Sequence, residues 1–317
     1  YKLRPKIVHS HTIKVNLLVS LVAYFLNLKT VLSFTGLGSL SKKSGLQKFL
    51  FIFILKIIHN FSIFEIKGLN FFSKNYKRTT FIFQNEFDKK LFENLTEHKK
   101  NKTDINLIAG SGLPSIYIKR NYSIPFRYEN YLNNNSFNFI YCARLLKSKG
   151  IIDFLTLSKH FKESLFFVYG EIDLTSQDSI TKKELLIFKN KFKNVKFIGF
   201  TENPLLRHLN DKSLLIVPSN YGEGFPRAIL EAISLGIPVI ATENSCSSNF
   251  DKRHLFVTKN SSVKSLITKI SEINNLIKKK ELTIFLNNSR NFVLKNFSEE
   301  HIVKKTINIY QKKLNLN

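Results

Sequence analysis

Residues 219–241 read SNYGEGFPRAILEAISLGIPVIA, a loop, a helix and a strand that carry two glutamates, Glu223 and Glu231, eight positions apart. Pro226 suits a first helical position and Gly236 the position just past a helix end, so the spacing predicts a helix from about Pro226 to Leu235. A strand from Ile237 to Ala241 follows at once. The GEG turn feeds the helix N-terminus, where unpaired N–H groups and the positive end of the helix dipole favour a phosphate. Glu231 lies further along, among Ile229, Leu230, Ala232 and Ile233. A carboxylate in such apolar company costs free energy unless it is hydrogen-bonded, and a ribose diol would supply two donors. A plainer reading competes, in which Glu231 simply pairs with Arg227 one turn earlier on the helix surface.

This stretch resembles the signature segment of retaining GT-B glycosyltransferases of the family 4 type, in which two glutamates flank seven residues. The resemblance implies that Glu223, with Gly224, Phe225 and Pro226, holds the sugar and diphosphate of a nucleotide-sugar donor, and that Glu231 holds its ribose. A second resemblance is FIYCARLLKSKGIIDFL at 139–155, an apolar run that ends in Arg144 and is followed by Lys149-Gly150. Arginine offers a bidentate fork to phosphate oxygens and lysine a mobile point charge, so the pair suits a diphosphate leaving group. A third is PKIVHSHTIKVN at 5–16, similar to the family's acceptor-side strand with its His-x-His-Thr turn. There the resemblance places His11 near the donor sugar and leaves His9 a structural role. TGLGSL at 35–40, FQNEFD at 83–88 and AGSGL at 109–113 resemble further family landmarks, so the similarity spans nearly the whole chain.

Gly36 and Gly38 imitate the opening of a dinucleotide fingerprint, but Ser41 stands where its third glycine belongs and Lys42-Lys43 follow instead of an apolar helix start. Gly110-Ser111-Gly112 reads instead as a tight turn after an apolar run, lining the donor cleft. No Asp-x-Asp pair occurs in the sequence, so no metal site and no cofactor is expected. The positive charge for a diphosphate would come from Arg144, Lys149 and helix N-termini.

At 317 residues the chain exceeds one ordinary core, and two domains are expected. Short apolar runs at Asn138–Cys142, Leu165–Tyr169, Val195–Ile198 and Leu214–Val217 alternate with amphipathic stretches, the pattern of βα units around parallel sheets. The fold class expected is α/β, two Rossmann-like parallel-sheet domains of the GT-B kind facing across a cleft. The Asn- and Tyr-rich stretch 116–138 marks the junction. Residues 1–125 form an acceptor-side domain, 126–300 a nucleotide-sugar domain, and 301–317 a last helix that the resemblance returns to the first domain. Ile302, Ile307, Ile309 and Tyr310 are available to pack that helix. The absence of methionine and the opening at Tyr1 read as a fragment lacking the first strand of its first domain.

Cys142 and Cys246 are too few and too isolated for a disulfide framework or a metal site, and suit a reducing cytoplasm. Where relatives often carry a Gly-Cys-Arg-Glu turn, this chain has SCSSNFDK around Cys246. The net charge of +26, from 49 basic and 23 acidic residues, calls for an anionic environment. No nucleic-acid module is identifiable, and the lysines are spread over the chain. An anionic membrane surface fits better. LQKFLFIFILKII at 46–58 follows Lys42-Lys43 as an apolar helix, too short and too interrupted by Lys56 to span a bilayer, that lies either in the membrane interface or in the first core.

Together these features imply a cytoplasmic glycosyltransferase, peripheral on the inner face of the plasma membrane. It would move a sugar, with retention, from a UDP-type nucleotide sugar to a polyprenyl-diphosphate-linked or other lipid-linked saccharide in cell-surface polysaccharide synthesis. With no convincing carboxylate nucleophile, front-face displacement within an ion pair is the expected route. The alternatives are a sugar-nucleotide epimerase or hydrolase on the same fold, or a non-catalytic nucleotide-binding protein.

Overall fold

The computed structural model describes residues 5–37, 44–63, 78–97, 104–118, 128, 136–209, 211–220, 225–246, 250 and 252–314. The chain divides into two compact units, the first made of 1–111, 222–225 and 300–317 and the second of 112–221 and 226–299.

The first unit carries a parallel sheet of four strands in sequential order: β1 (Val8–His11), β2 (Thr30–Phe34), β3 (Thr79–Phe83) and β4 (Asp104–Leu107). β2 and β3 are buried along their whole length, so their polar residues are hydroxyl-bearing and paired where they meet, as Thr30 is with Thr79. Helices α1 (Ile13–Leu26), α2 (Gly45–Ile63) and α3 (Glu86–Thr96) cover the sheet, with Phe34, Phe81, Phe83 and Phe92 packed together in the core and Phe34 stacked on Phe83. Asn85 caps α3 by accepting from the Asp88 amide, and Asp88 in turn accepts from the Leu37 amide. The last helix, α10 (Glu299–Leu314), packs Ile302, Ile309 and Tyr310 against Val31, Ile82 and Ile108 of this unit. Lys313 donates to Thr80 from the same helix.

The second unit holds six parallel strands: β5 (Asn138–Cys142), β6 (Leu165–Tyr169), β7 (Val195–Gly199), β8 (Ser213–Val217), β9 (Val239–Thr242) and β10 (Phe256–Thr258). Their spatial order is β10-β9-β8-β5-β6-β7, the doubly wound arrangement whose direction of winding reverses between β5 and β8. Helices α5 (Ile151–Leu157), α7 (Arg227–Ser234), α8 (Val263–Lys278) and α9 (Leu282–Phe297) cover the sheet. Phe139, Phe154, Phe166, Ile216 and Ile240 fill its core. The expectation of two parallel-sheet α/β domains holds.

Three expectations are corrected. The first division falls at Ser111/Gly112 rather than at 125, because Leu113 bridges to Ser298 and the short helix α4 (Ser115–Ile118) packs on α7. The helix expected from Pro226 begins at Arg227 with Pro226 as its cap, and the strand expected at Ile237 begins at Val239. The apolar helix expected over 46–58 runs from Gly45 to Ile63, continuing through His59 and Ser62, which it buries, while Lys56 lies on its exposed face. Among the described residues it is the one helix long and apolar enough to cross a membrane, yet it buries Phe51, Leu55, Ile58 and His59 in the first core.

A candidate donor site in the second unit

Loops at the carboxyl ends of β5, β6 and β7 and the first turns of α7 enclose an open cavity of about 970 Å³. Carboxyl ends beside the reversal of strand order are where doubly wound sheets bind ligands. Arg144, Asp173, Phe200, Arg227 and Glu231 all line it.

Arg144 stands two residues beyond the end of β5, and its turn is tightly held. Tyr141 donates to the Arg144 carbonyl, Leu145 exchanges backbone hydrogen bonds with Glu171 and Ile180, and Lys147 pairs with Glu184 at 3.0 Å. The capping box of Thr181 and Glu184, with help from Lys147, holds the Glu184 carboxyl down at about 2. Ser148 donates to Asp178 and accepts at its carbonyl from the Asn220 amide, which ties this turn to the loop after β8. Gly150 has no alternative there: it holds φ +77°, and an added Cβ would stand 2.1 Å from the Pro218 carbonyl oxygen. The Arg144 guanidinium is mostly exposed and donates to Asp173 at 2.5 Å. Thr175 and Arg144 together hold the Asp173 carboxyl below the usual range. Lys149 sits on the turn at 147–149 and does not line this cavity.

Glu231 is buried on α7, its side chain 10% exposed, and accepts from Arg227 Nε at 2.6 Å. Burial pushes its carboxyl up, while Arg227 and the nearby Tyr117 hydroxyl oppose that shift. Both readings of Glu231 from the sequence therefore have a physical counterpart, since the salt bridge exists and the carboxylate also lines the cavity. Tyr117 and Cys142 lie close to it, and Cys142 also lines the cavity. Burial pushes the Cys142 thiol far up, so it stays protonated. Neither neighbour was expected from the sequence, and neither lies within twenty residues of Glu231 along the chain.

Of the other expected site residues, Glu223 and Gly224 lie outside the described residues. Phe225 rests on Gly110, whose φ of +70° forms the turn and whose added Cβ would stand 2.9 Å from the Phe225 ring. Ser111 is exposed at that turn. Gly112 is explained by packing, since an added Cβ would meet the Glu299 backbone at 2.6 Å. Pro226 caps α7.

His11 ends β1 in the first unit beside His9, their rings tilted by 32° with centroids 4.3 Å apart. The next residue, Thr12, holds φ +71°, a conformation disfavoured for a β-branched side chain and of the kind that clusters at functional sites. His9 bonds Tyr310 of α10 at 2.5 Å and Ser33 of β2 at 2.7 Å. Among the described residues no group of three His, Cys, Asp or Glu side chains is placed to hold a metal ion.

The comparisons with known proteins agree with this architecture. The protein superposes on Anabaena HepE, solved with UDP, with a TM-score of 0.74 and 16% identity, over 97% of this chain and 79% of that one. It superposes on sucrose-phosphate synthase from Thermosynechococcus elongatus with a TM-score of 0.72 and 15% identity, over 98% and 74% of the two chains. An uncharacterized glycosyltransferase of Methanocaldococcus jannaschii is 30% identical over 174 residues, 51% of this chain and 39% of its own length. The alpha-galactosylglucosyldiacylglycerol synthase of Streptococcus pneumoniae is 28% identical over 109 residues, 34% of this chain and 29% of its own length. The matched segments thus span well under half of these two relatives. The family model described as glycosyl transferases group 1 matches residues 125–292, more than half of the chain and nearly all of the unit that carries the cavity. The chain belongs to the glycosyl transferases group 1 family, on a GT-B framework of two parallel-sheet domains.

Proposed function

We propose that this chain carries a retaining glycosyltransferase activity that draws its sugar from a nucleotide diphosphate donor, a UDP-sugar, bound in the cavity of the second unit. The observation that carries this reading is the convergence on one wall of a cation, Arg144, and a buried carboxylate, Glu231, at the carboxyl ends of the strands. Arg144 would leave Asp173 for the diphosphate, and Glu231 would accept from the ribose hydroxyls. Phe200, exposed on the rim just past β7, offers a ring on which a base stacks. Lys149 and the α7 N-terminus would add positive charge and donors as the leaving diphosphate becomes more negative, and Glu223 would orient the sugar hydroxyls, as the resemblance implies. No metal is given a part in this scheme. His11 would serve the donor sugar, as the resemblance implies. Front-face departure within an ion pair accounts for retention without a carboxylate nucleophile. The UDP assignment is supported by the UDP in the Anabaena HepE complex.

The acceptor proposed is a lipid-linked saccharide, a polyprenyl-diphosphate-linked one being the type expected, with the protein peripheral on the inner face of the plasma membrane in cell-surface polysaccharide synthesis. The streptococcal relative is named for a glycolipid product, which supports a lipid acceptor. An apolar face of the first unit supports the surface. α1 exposes Leu18, Val22 and Phe25, and α2, packed against it, exposes Phe49, Leu50 and Phe53. Exposed Lys14, Lys48 and Lys56 sit on the same two helices. Apolar side chains interleaved with lysine on packed helices match an interfacial seat on anionic lipid. Incubation with a panel of labelled nucleotide sugars and a membrane lipid extract tests the activity. Label in the organic phase from one UDP-sugar supports it, whereas free sugar or an epimerised donor without lipid product favours the hydrolase or epimerase alternative.

A further inference from the structure

Tyr117 is the buried residue of α4, within the second unit. Its hydroxyl lies near enough to the Glu231 carboxylate to favour the ionised form, yet completes no hydrogen bond of normal geometry. Burial of an unpaired hydroxyl is unfavourable, so such a group in a well-packed interior points to a partner that is gained in another state. The ionisable groups around it are Glu231 and Arg227 of α7 and the Cys142 thiol of β5. Of these only the Glu231 carboxylate is a strong acceptor. One oxygen of that carboxylate, Oε1, is taken by Arg227, whose own side chain is 56% exposed and free to swing. Tyr117 thus lies on the closed side of Glu231 and Arg227 on the cavity side.

We infer that Tyr117 is the positioning residue for Glu231, its hydroxyl taking hold of the carboxylate from the buried side when the ribose of a bound nucleotide replaces Arg227 on the cavity side. The inference rests on the donor site proposed above. Without Arg227, a buried carboxylate loses the cation that keeps it ionised, and a phenol donor is what remains to stabilise the charged form. A fixed carboxylate can meet two ribose hydroxyls at once, whereas a loosely held one meets them one at a time. The Cys142 thiol, neutral beside the pair, supplies no competing charge.

Tyr117→Phe removes only the hydroxyl. Calorimetry with UDP and with 2′-deoxy-UDP isolates the ribose contact, because the two probes differ in one ribose hydroxyl. The wild-type protein is expected to prefer UDP. In Tyr117→Phe the UDP affinity should fall about tenfold while 2′-deoxy-UDP changes little, so that the preference contracts towards one. The acid limb of UDP-glucose binding should also move to higher pH, since Glu231 loses a donor to its ionised form. An unchanged preference and an unchanged acid limb overturn the inference and leave the donor site standing. An equal fall for both probes assigns Tyr117 to packing alone and overturns it as well. Wild-type protein that binds neither probe removes the donor site and this inference together. Should Tyr117→Phe melt too early to measure, Arg227→Gln decides: a retained UDP preference agrees with Arg227 being displaced on binding, and a collapsed preference makes Arg227 the group that positions Glu231.

Discussion

Arg227 Nε donates to Glu231 Oε1 at 2.6 Å across one turn of α7, and the pair borders the cavity. Glu231→Gln keeps the size of the side chain and removes its charge. Hydrogen bonds to charged groups contribute about 1.5–3 kcal/mol each. Nucleotide affinity should therefore fall at least tenfold, which needs only ~1.4 kcal/mol. Burial sets the Glu231 pKa above its unfolded value, so the folded protein holds this proton more tightly and ionisation costs stability as pH rises through the folded value. The glutamine variant carries no such cost, and its melting midpoint at neutral pH should be no lower than that of wild type. Early melting with normal nucleotide binding would make Glu231 a structural partner of Arg227.

Arg144 and Asp173 form a second pair on the same wall, and the donor diphosphate must compete with Asp173 for the guanidinium. Arg144→Gln should weaken UDP binding by about tenfold or more, because a bidentate charge-assisted contact is lost. Asp173→Asn removes a like charge facing the diphosphate and should tighten UDP binding several-fold. Titration calorimetry on the two variants checks both signs, and weaker binding by Asp173→Asn would show that Asp173 orients Arg144 rather than competing for it.

His9 gives the first unit an acid limit. Burial, reinforced by the neighbouring charge of His11, pushes its pKa down to about 4. The unfolded chain binds this proton near the ordinary histidine value of about 6.5, so stability is fully present above that value and is lost as pH falls towards about 4. Thermal midpoints measured between pH 7.5 and 4 should drop, and His9→Gln should flatten the His9 share of that drop. A variant with the wild-type pH profile would assign the acid limit to other groups.

Attachment to anionic vesicles should have two components. Scattered lysines release as the Debye length shrinks from about 10 Å at 0.1 M salt to about 3 Å at 1 M. Burial of the α1–α2 face is not screened and should hold a fraction of the protein at high salt. Phe49→Glu with Phe53→Glu should abolish that fraction. Complete release of the wild-type protein by salt would remove the apolar component, and indifference to anionic lipid would remove the membrane surface altogether.

Much of the second unit was legible because its strands are short apolar runs bounded by polar turns. The limits of β5 and β6 match the sequence reading residue for residue. Burial on both faces writes such strands plainly into a sequence. The length of α2 was hidden because His59, Asn60 and Ser62 end the apolar run although the helix continues through them to Ile63. The partners of the site residues were hidden for another reason. Asp173 lies 29 positions from Arg144, and Tyr117 lies far from Glu231 along the chain. Proximity of that kind comes from the winding of the sheet, and no local spacing encodes it. Gly112 looked like a ligand-binding glycine, whereas close approach of the 298–299 backbone explains it.

The central claim is that the cavity of the second unit binds a nucleotide diphosphate, and calorimetric titration of this chain with UDP tests it most directly. Saturable one-to-one binding to the wild-type protein, weakened about tenfold or more in Arg144→Gln and Glu231→Gln variants that melt no earlier than wild type, is the result expected. Absence of UDP binding by the folded wild-type protein, or binding that both variants retain unchanged, would contradict the account.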